Sequence, residues 1–244
     1  MKHFAIILFL TAAMQVTAQS WLPKTEGCDC QMVRHVGYTL CYDEGHEQAQ
    51  WVAYVLTRER VGGPISRKGN DRFVADTTVK TGSAVPWNYG GKEYDRGHLA
   101  PAADMKWSVR AMRESFLMSN MSPQEHGFNE GLWHRAEEQV RRWAVEYDSL
   151  LVVTGPVLQE GLPQVEDGEG NCISVPLYYY KVVYDPVRKT GIGLLIEHQN
   201  SRKPIASFAV TIDEVEKATG LDFFPGIADE EKMERTICLP CWGW

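Results

Sequence analysis

Runs of apolar residues divide the chain into strands and one long amphipathic helix. Trp51–Thr57, Leu150–Thr154, Tyr178–Tyr184 and Gly193–Glu197 are rich in β-branched and aromatic residues, which predicts strands. Ser115–Ser119 predicts a shorter strand, closed by Pro123, while Gly155-Pro156 ends the strand at Leu150. Asp185–Gly191 reads as a long hairpin turn between two of these strands, Gly62–Asn70 as a loop, and Leu158–Asn171 as an acidic surface loop. Asp213–Thr219 predicts a short helix, with Thr211 or Asp213 as its cap and Gly220 as its stop. Strands dominate and do not alternate with helices, so the fold class is α+β, with a central antiparallel sheet rather than a βαβ pattern.

The long helix is predicted over Asn129–Tyr147. Leu132, Trp133, Ala136, Val140, Trp143, Ala144 and Tyr147 recur at three- and four-residue steps. At about 100° per residue, Asn129 falls on the centre of that stripe, Glu137 roughly 80° away at its edge, and Glu138 on the opposite, solvent side. An inward carboxylate and amide are costly without partners, so Glu137 and Asn129 require an explanation. Asn129 either caps the helix or serves a site.

Composition narrows the class. An apolar run, Phe4–Met14, follows Lys2 and His3, and Val16-Thr17-Ala18 offers small residues for cleavage. Residues 1–18 are therefore expected to be a signal peptide and residues 19–244 a single exported domain, periplasmic or secreted. The run is short for a membrane anchor. Six cysteines (28, 30, 41, 172, 238 and 241) then imply disulfides, expected to clamp the chain's ends to its body. Cys28 and Cys30 are too close to pair with each other, and Cys238/Cys241 reads as structural or as a thiol-redox pair. The formal net charge is −7, yet eleven of the 25 Lys/Arg residues lie between Arg58 and Arg113. A locally basic face on an acidic body is compatible with phosphate binding of modest, salt-sensitive affinity.

The chemistry concentrates in Tyr94–Asp104, which carries Asp95-Arg96-Gly97-His98 followed by Leu99-Ala100-Pro101. Gly97 is expected to bend the backbone so that its neighbours converge. A second constellation comprises Asn120-Met121-Ser122-Pro123-Gln124, Asn129 and Glu137. Together they read as a metal-assisted phosphodiesterase site. His98 would be the general base that activates water, and Arg96 would neutralise phosphate charge in the transition state. Asn129 would bind Mg²⁺ (or Mn²⁺) directly, and Glu137 would hold metal-bound waters. Asn120 would orient His98 or contact the scissile phosphate. Asp95 and Asp104 are metal ligands or local braces. His126, His134 and His198 are read as surface or core residues. Trp51, Tyr54 and Tyr178–Tyr180 either stack on bases or pack the core.

On these motifs the chain resembles the DNA/RNA non-specific endonuclease family of ββα-metal (His-Me finger) nucleases. Thr154-Gly155-Pro156 and Gly220–Phe224 extend the resemblance over roughly Val52–Phe224. It implies a hairpin ending in His98 and a crossing helix, packed on one side of the sheet, that carries Asn129. It also implies Asn129 as metal ligand, Glu137 as a water-mediated metal anchor, and Arg96 as a phosphate contact. A further upstream arginine, Arg72 in preference to Arg67, would contact the substrate phosphate. The implied function is an exported Mg²⁺- or Mn²⁺-dependent endonuclease with DNA and RNA as substrates. The alternative is an inactive exported nucleic-acid-binding protein of the same fold.

Overall fold

The computed structural model describes residues 21–24, 30–86, 93–166, 170, 172–227 and 230–244. The expected signal segment 1–18, Cys28, and part of the acidic loop (167–169 and 171) lie outside the described residues.

Strands β1 (Cys30–Arg34), β2 (Thr39–Asp43) and β3 (Gln48–Thr57) form a meander that leads into a single helical turn, α1 (Arg58–Val61). A long irregular stretch follows before β4 (Asp95–His98), α2 (Val109–Glu114) and β5 (Met121–Gln124). Phe128–Trp133 is then a π-helical turn that runs directly into α3 (His134–Tyr147). The second half contains β6 (Ser149–Pro156), the short hairpin β7 (Gln164–Glu166) and β8 (Cys172–Ser174), and β9 (Tyr178–Asp185). It ends with β10 (Thr190–Glu197), β11 (Ala209–Val210), α4 (Ile212–Thr219) and α5 (Glu230–Glu234). Seven strands make one antiparallel sheet in the order β1-β2-β3-β6-β9-β10-β11, while β4 and β5 pair separately.

Both faces of the sheet are covered, which explains why its strands read as continuous apolar runs. Val52, Tyr54 and Leu56 of β3, Leu150 and Val152 of β6, and Tyr179 and Val183 of β9 pack with Trp133, Ala136, Val140, Trp143 and Ala144 of the helical segment. The intervening residues Trp51, Ala53, Val153, Tyr180 and Val182 pack on the other face with Ile212 and Val215 of α4 and with Phe223 and Phe224. Trp51, Tyr54, Tyr179 and Tyr180 are therefore core residues, and only Tyr178 of that aromatic set is exposed. The α4 signals are realised as read: Thr211 and Glu214 form a reciprocal cap, and Gly220 closes the helix at φ 71°.

Three expectations are corrected. Ser115–Ser119 is a turn and a 3₁₀ segment; the strand begins at Met121, where pairing with β4 becomes available. The long helix is not uniformly α, because its first turn is π. Among the described residues the disulfides are local rather than end-to-body clamps: Cys30–Cys41 staples β1 to β2, and Cys238 pairs with Cys241.

Candidate active site

The β4–β5 pair is built mainly from polar residues and contains one close approach. Asp95 faces Gln124 and His98 faces Met121 across the ladder. A Cβ on Gly97 would lie 2.2 Å from Gln124 Cδ and 2.3 Å from its Oε1. Gln124 is fully buried, so Gly97 is required for packing, not for a bend; its φ is not positive. This corrects the sequence expectation.

His98 ends β4 inside an aromatic bracket. Phe116 meets its ring edge-on at 4.8 Å between centroids and Phe73 lies at 5.9 Å. The same two phenyl rings carry the arginines: the Arg96 guanidinium lies 4.3 Å from the Phe73 centroid and that of Arg67 lies 5.1 Å from Phe116. Arg96 also donates to the Pro86 carbonyl at 2.8 Å. Burial, reinforced by the Arg67 charge, holds the His98 pKa down to about 3. Its Nε2 is buried and has no hydrogen-bond partner among the described residues. The ring is therefore a neutral base whose Nε2 is uncommitted.

Asn129 lies within the π turn, not at a helix cap, and its Nδ2 donates to Asp95 Oδ2 at 2.9 Å. That bond leaves the amide oxygen as the lone-pair donor of the side chain. Asp95 is a brace that also takes His126 Nδ1 at 3.1 Å. Glu137 sits one turn into α3 with its side chain 11% exposed, and Arg141 Nη1 lies 3.9 Å from its Oε2. Burial raises the Glu137 pKa against the opposing charges of Lys181 and Arg141. Asp104 is fully buried, taking Arg141 at 3.0 Å and Tyr54 Oη at 2.8 Å.

One cleft of about 1090 Å³ is lined by Arg67, Asp95, Arg96, His98, Asn129 and Glu137, with His126, His134 and Arg141 among its other walls. Two assignments change here. Arg72 is exposed and outside that lining, whereas Arg67 is in it and its charge reaches His98. Asn120 is also outside it: its Oδ1 accepts from the Ala100 N–H, and its Nδ2 donates to the Ala100 and Ser115 carbonyls. Its amide is spent on the loop after His98. Glu138 is half-buried rather than turned fully to solvent. Sequence reasoning set His126 and His134 aside and missed the Phe73/Phe116 bracket, because none of these residues has motif spacing.

The sequence model of the DNA/RNA non-specific endonuclease family matches residues 23–230. The chain belongs to this family. Human mitochondrial endonuclease G is 32% identical over 212 residues, covering 81% of this chain and 70% of that protein. The nuclease of Serratia marcescens is 30% identical over 247 aligned positions, covering 94% and 90%. Mouse mitochondrial nuclease EXOG is 29% identical over 222 residues; the match covers 84% of this chain but only 60% of that protein. A crystal structure of the EndoG/EndoGI complex superposes with a TM-score of 0.72 at 30% identity, covering 83% of this chain and 88% of that one. The ββα-metal architecture is thus the fold of this chain, and the chain is a nuclease.

Proposed function

We propose that the chain is an exported, divalent-metal-dependent endonuclease that hydrolyses phosphodiester bonds in DNA and RNA with little sequence specificity. The observation that carries this reading is the convergence of His98, Asn129, Glu137, Arg96 and Arg67 on one cleft. The donor set fits a hard cation: Asn129 offers an amide oxygen, with its nitrogen committed to Asp95, and Glu137 offers a carboxylate. Asn129 would hold the ion directly and Glu137 through water. When bound, Mg²⁺ or Mn²⁺ supplies charge relief at the phosphate and at the departing oxygen.

His98 takes a proton from the attacking water, through a neutral ring whose Nε2 is uncommitted among the described residues. Arg96 and Arg67, held on the Phe73/Phe116 bracket, counter the charge that grows on the phosphate oxygens. Asn120 positions the chain after His98 and does not touch substrate. The Cys30–Cys41 and Cys238–Cys241 disulfides support an oxidising destination outside the cytoplasm. Among the described residues, no helix is long and apolar enough to cross a membrane.

Nicking of supercoiled plasmid with and without EDTA tests the reading. Wild type is expected to nick only with metal, and His98→Ala to lose nicking while binding DNA. A wild-type chain that binds DNA and never nicks is the inactive binding protein instead.

A further inference from the structure

Lys181 occupies a position that the alternation of β9 reserves for an apolar side chain. Its neighbours on the same face, Tyr179 and Val183, belong to the core beneath α3. Lys181 is 1% exposed. A buried ammonium is costly unless it is partnered, and a methionine of similar length would suit the core better. Its partners are few and specific. Nζ donates to Thr154 Oγ1 at 3.2 Å and lies 3.9 Å from the centroid of Trp133. Its charge also acts on the carboxylates of Glu137 and Asp104.

Trp133 connects this cation to both halves of the site. Its indole Nε1 donates to the backbone carbonyl of His98 at 3.1 Å. It is also the last residue of the π turn that carries Asn129. A single fully buried ring thus touches the strand that ends in the base and closes the turn that bears the amide. We propose that Lys181 and Trp133 are a positioning pair that fixes the spacing between His98 and Asn129, with Lys181 clamping the ring and the indole N–H holding the His98 backbone. Neither residue touches the reacting phosphate. The proposal rests on the assignment of His98 and Asn129 to the reaction.

Steady-state cleavage of a short fluorogenic DNA duplex at saturating Mg²⁺ tests it, with kcat expressed per folded molecule. Trp133→Phe keeps the ring and removes the N–H; it is expected to lower kcat about tenfold, in the range seen for residues that orient a metal site from behind, with KM unchanged. Lys181→Met is expected to lower kcat in the same direction. The double variant should lose less than the product of the two single losses, because both act through one ring. Unchanged kcat in the folded variants, or losses that multiply, would overturn the pair. Should Lys181→Met fail to fold, Trp133→Phe decides alone. His98→Ala serves as the control: retained cleavage there removes the catalytic assignment and the pair with it, whereas a dead His98→Ala beside an unaffected Trp133→Phe removes only the pair.

Discussion

Replacing Gly97 by alanine tests whether the glycine beside His98 is a packing requirement. The added methyl would sit 2.2 Å from Gln124 Cδ and 2.5 Å from Cγ, whereas carbon atoms rest at roughly 3.5–4.0 Å. The shortfall, about 1.3–1.8 Å, must be made by moving β4 away from β5 or by displacing Gln124, and Gln124 has no exposed space to enter. Overpacking of this kind costs about 1–3 kcal/mol. For a chain of this size that corresponds to roughly 2–4 °C of melting temperature per kcal/mol. The catalytic effect is expected to be of similar size, because a displacement of about 1 Å at the site costs on the order of a hundredfold in rate, about 2.7 kcal/mol. Plasmid nicking and thermal melting of Gly97→Ala, Gln124→Ala and the double variant check this. The double variant should recover most of the rate that Gly97→Ala loses. A Gly97→Ala protein with wild-type rate and melting temperature, or a double variant as slow as the single, refutes the packing explanation.

Three further outcomes are expected. Asn129→Ala should raise the Mg²⁺ concentration for half-maximal nicking by at least the roughly 10–100-fold that losing an outer-shell partner costs, while Glu138→Ala stays near wild type; equal damage from both contradicts the assignment of the helix faces. In the metal-free protein, NMR should show the His98 ring neutral from pH 5 to 8, since its pKa is held near 3; a midpoint near the ordinary histidine value contradicts the buried environment. Asp76 is a buried clamp whose carboxylate accepts from His35, Ser119 and Thr78, and these bonds outweigh burial and hold its pKa below the usual carboxylate range. A depressed pKa contributes stability above the unfolded value of about 4 and loses it as pH falls below that. Asp76→Asn should therefore be less stable than wild type at pH 7, with the gap starting to narrow as the pH falls below about 4; a gap independent of pH contradicts this.

The large strands were legible because the sheet is covered on both faces, so β3, β6 and β9 are nearly continuous apolar runs. α4 was legible because its reciprocal cap and stop use unambiguous residues. The β4–β5 pair was legible only through the family resemblance, which implied a hairpin ending in His98, since Asp95–His98 and Met121–Gln124 carry little hydrophobic pattern of their own. The π turn at Phe128–Trp133 was missed for a related reason: three- and four-residue steps continue across it without a break. Arg67 could not be separated from Arg72 because the stretch between α1 and β4 has no period, and only the folded chain, which seats Arg67 on the Phe116 ring inside the cleft, distinguishes them. Asn120 was misread because a motif position reveals that an amide is needed and not what it bonds. Lys181 left a visible trace, a lone cation inside Tyr178–Asp185, at the phase of the strand that faces the core.

The most direct test of the central claim is the anomalous signal of Mn²⁺ in crystals of the active protein. The account predicts a peak bound to the Asn129 amide oxygen, within the cleft that His98 and Glu137 share. An ion elsewhere, at the Asp213, Glu216 and Glu234 carboxylates for example, with none beside Asn129 in a protein that still cleaves DNA, would contradict it.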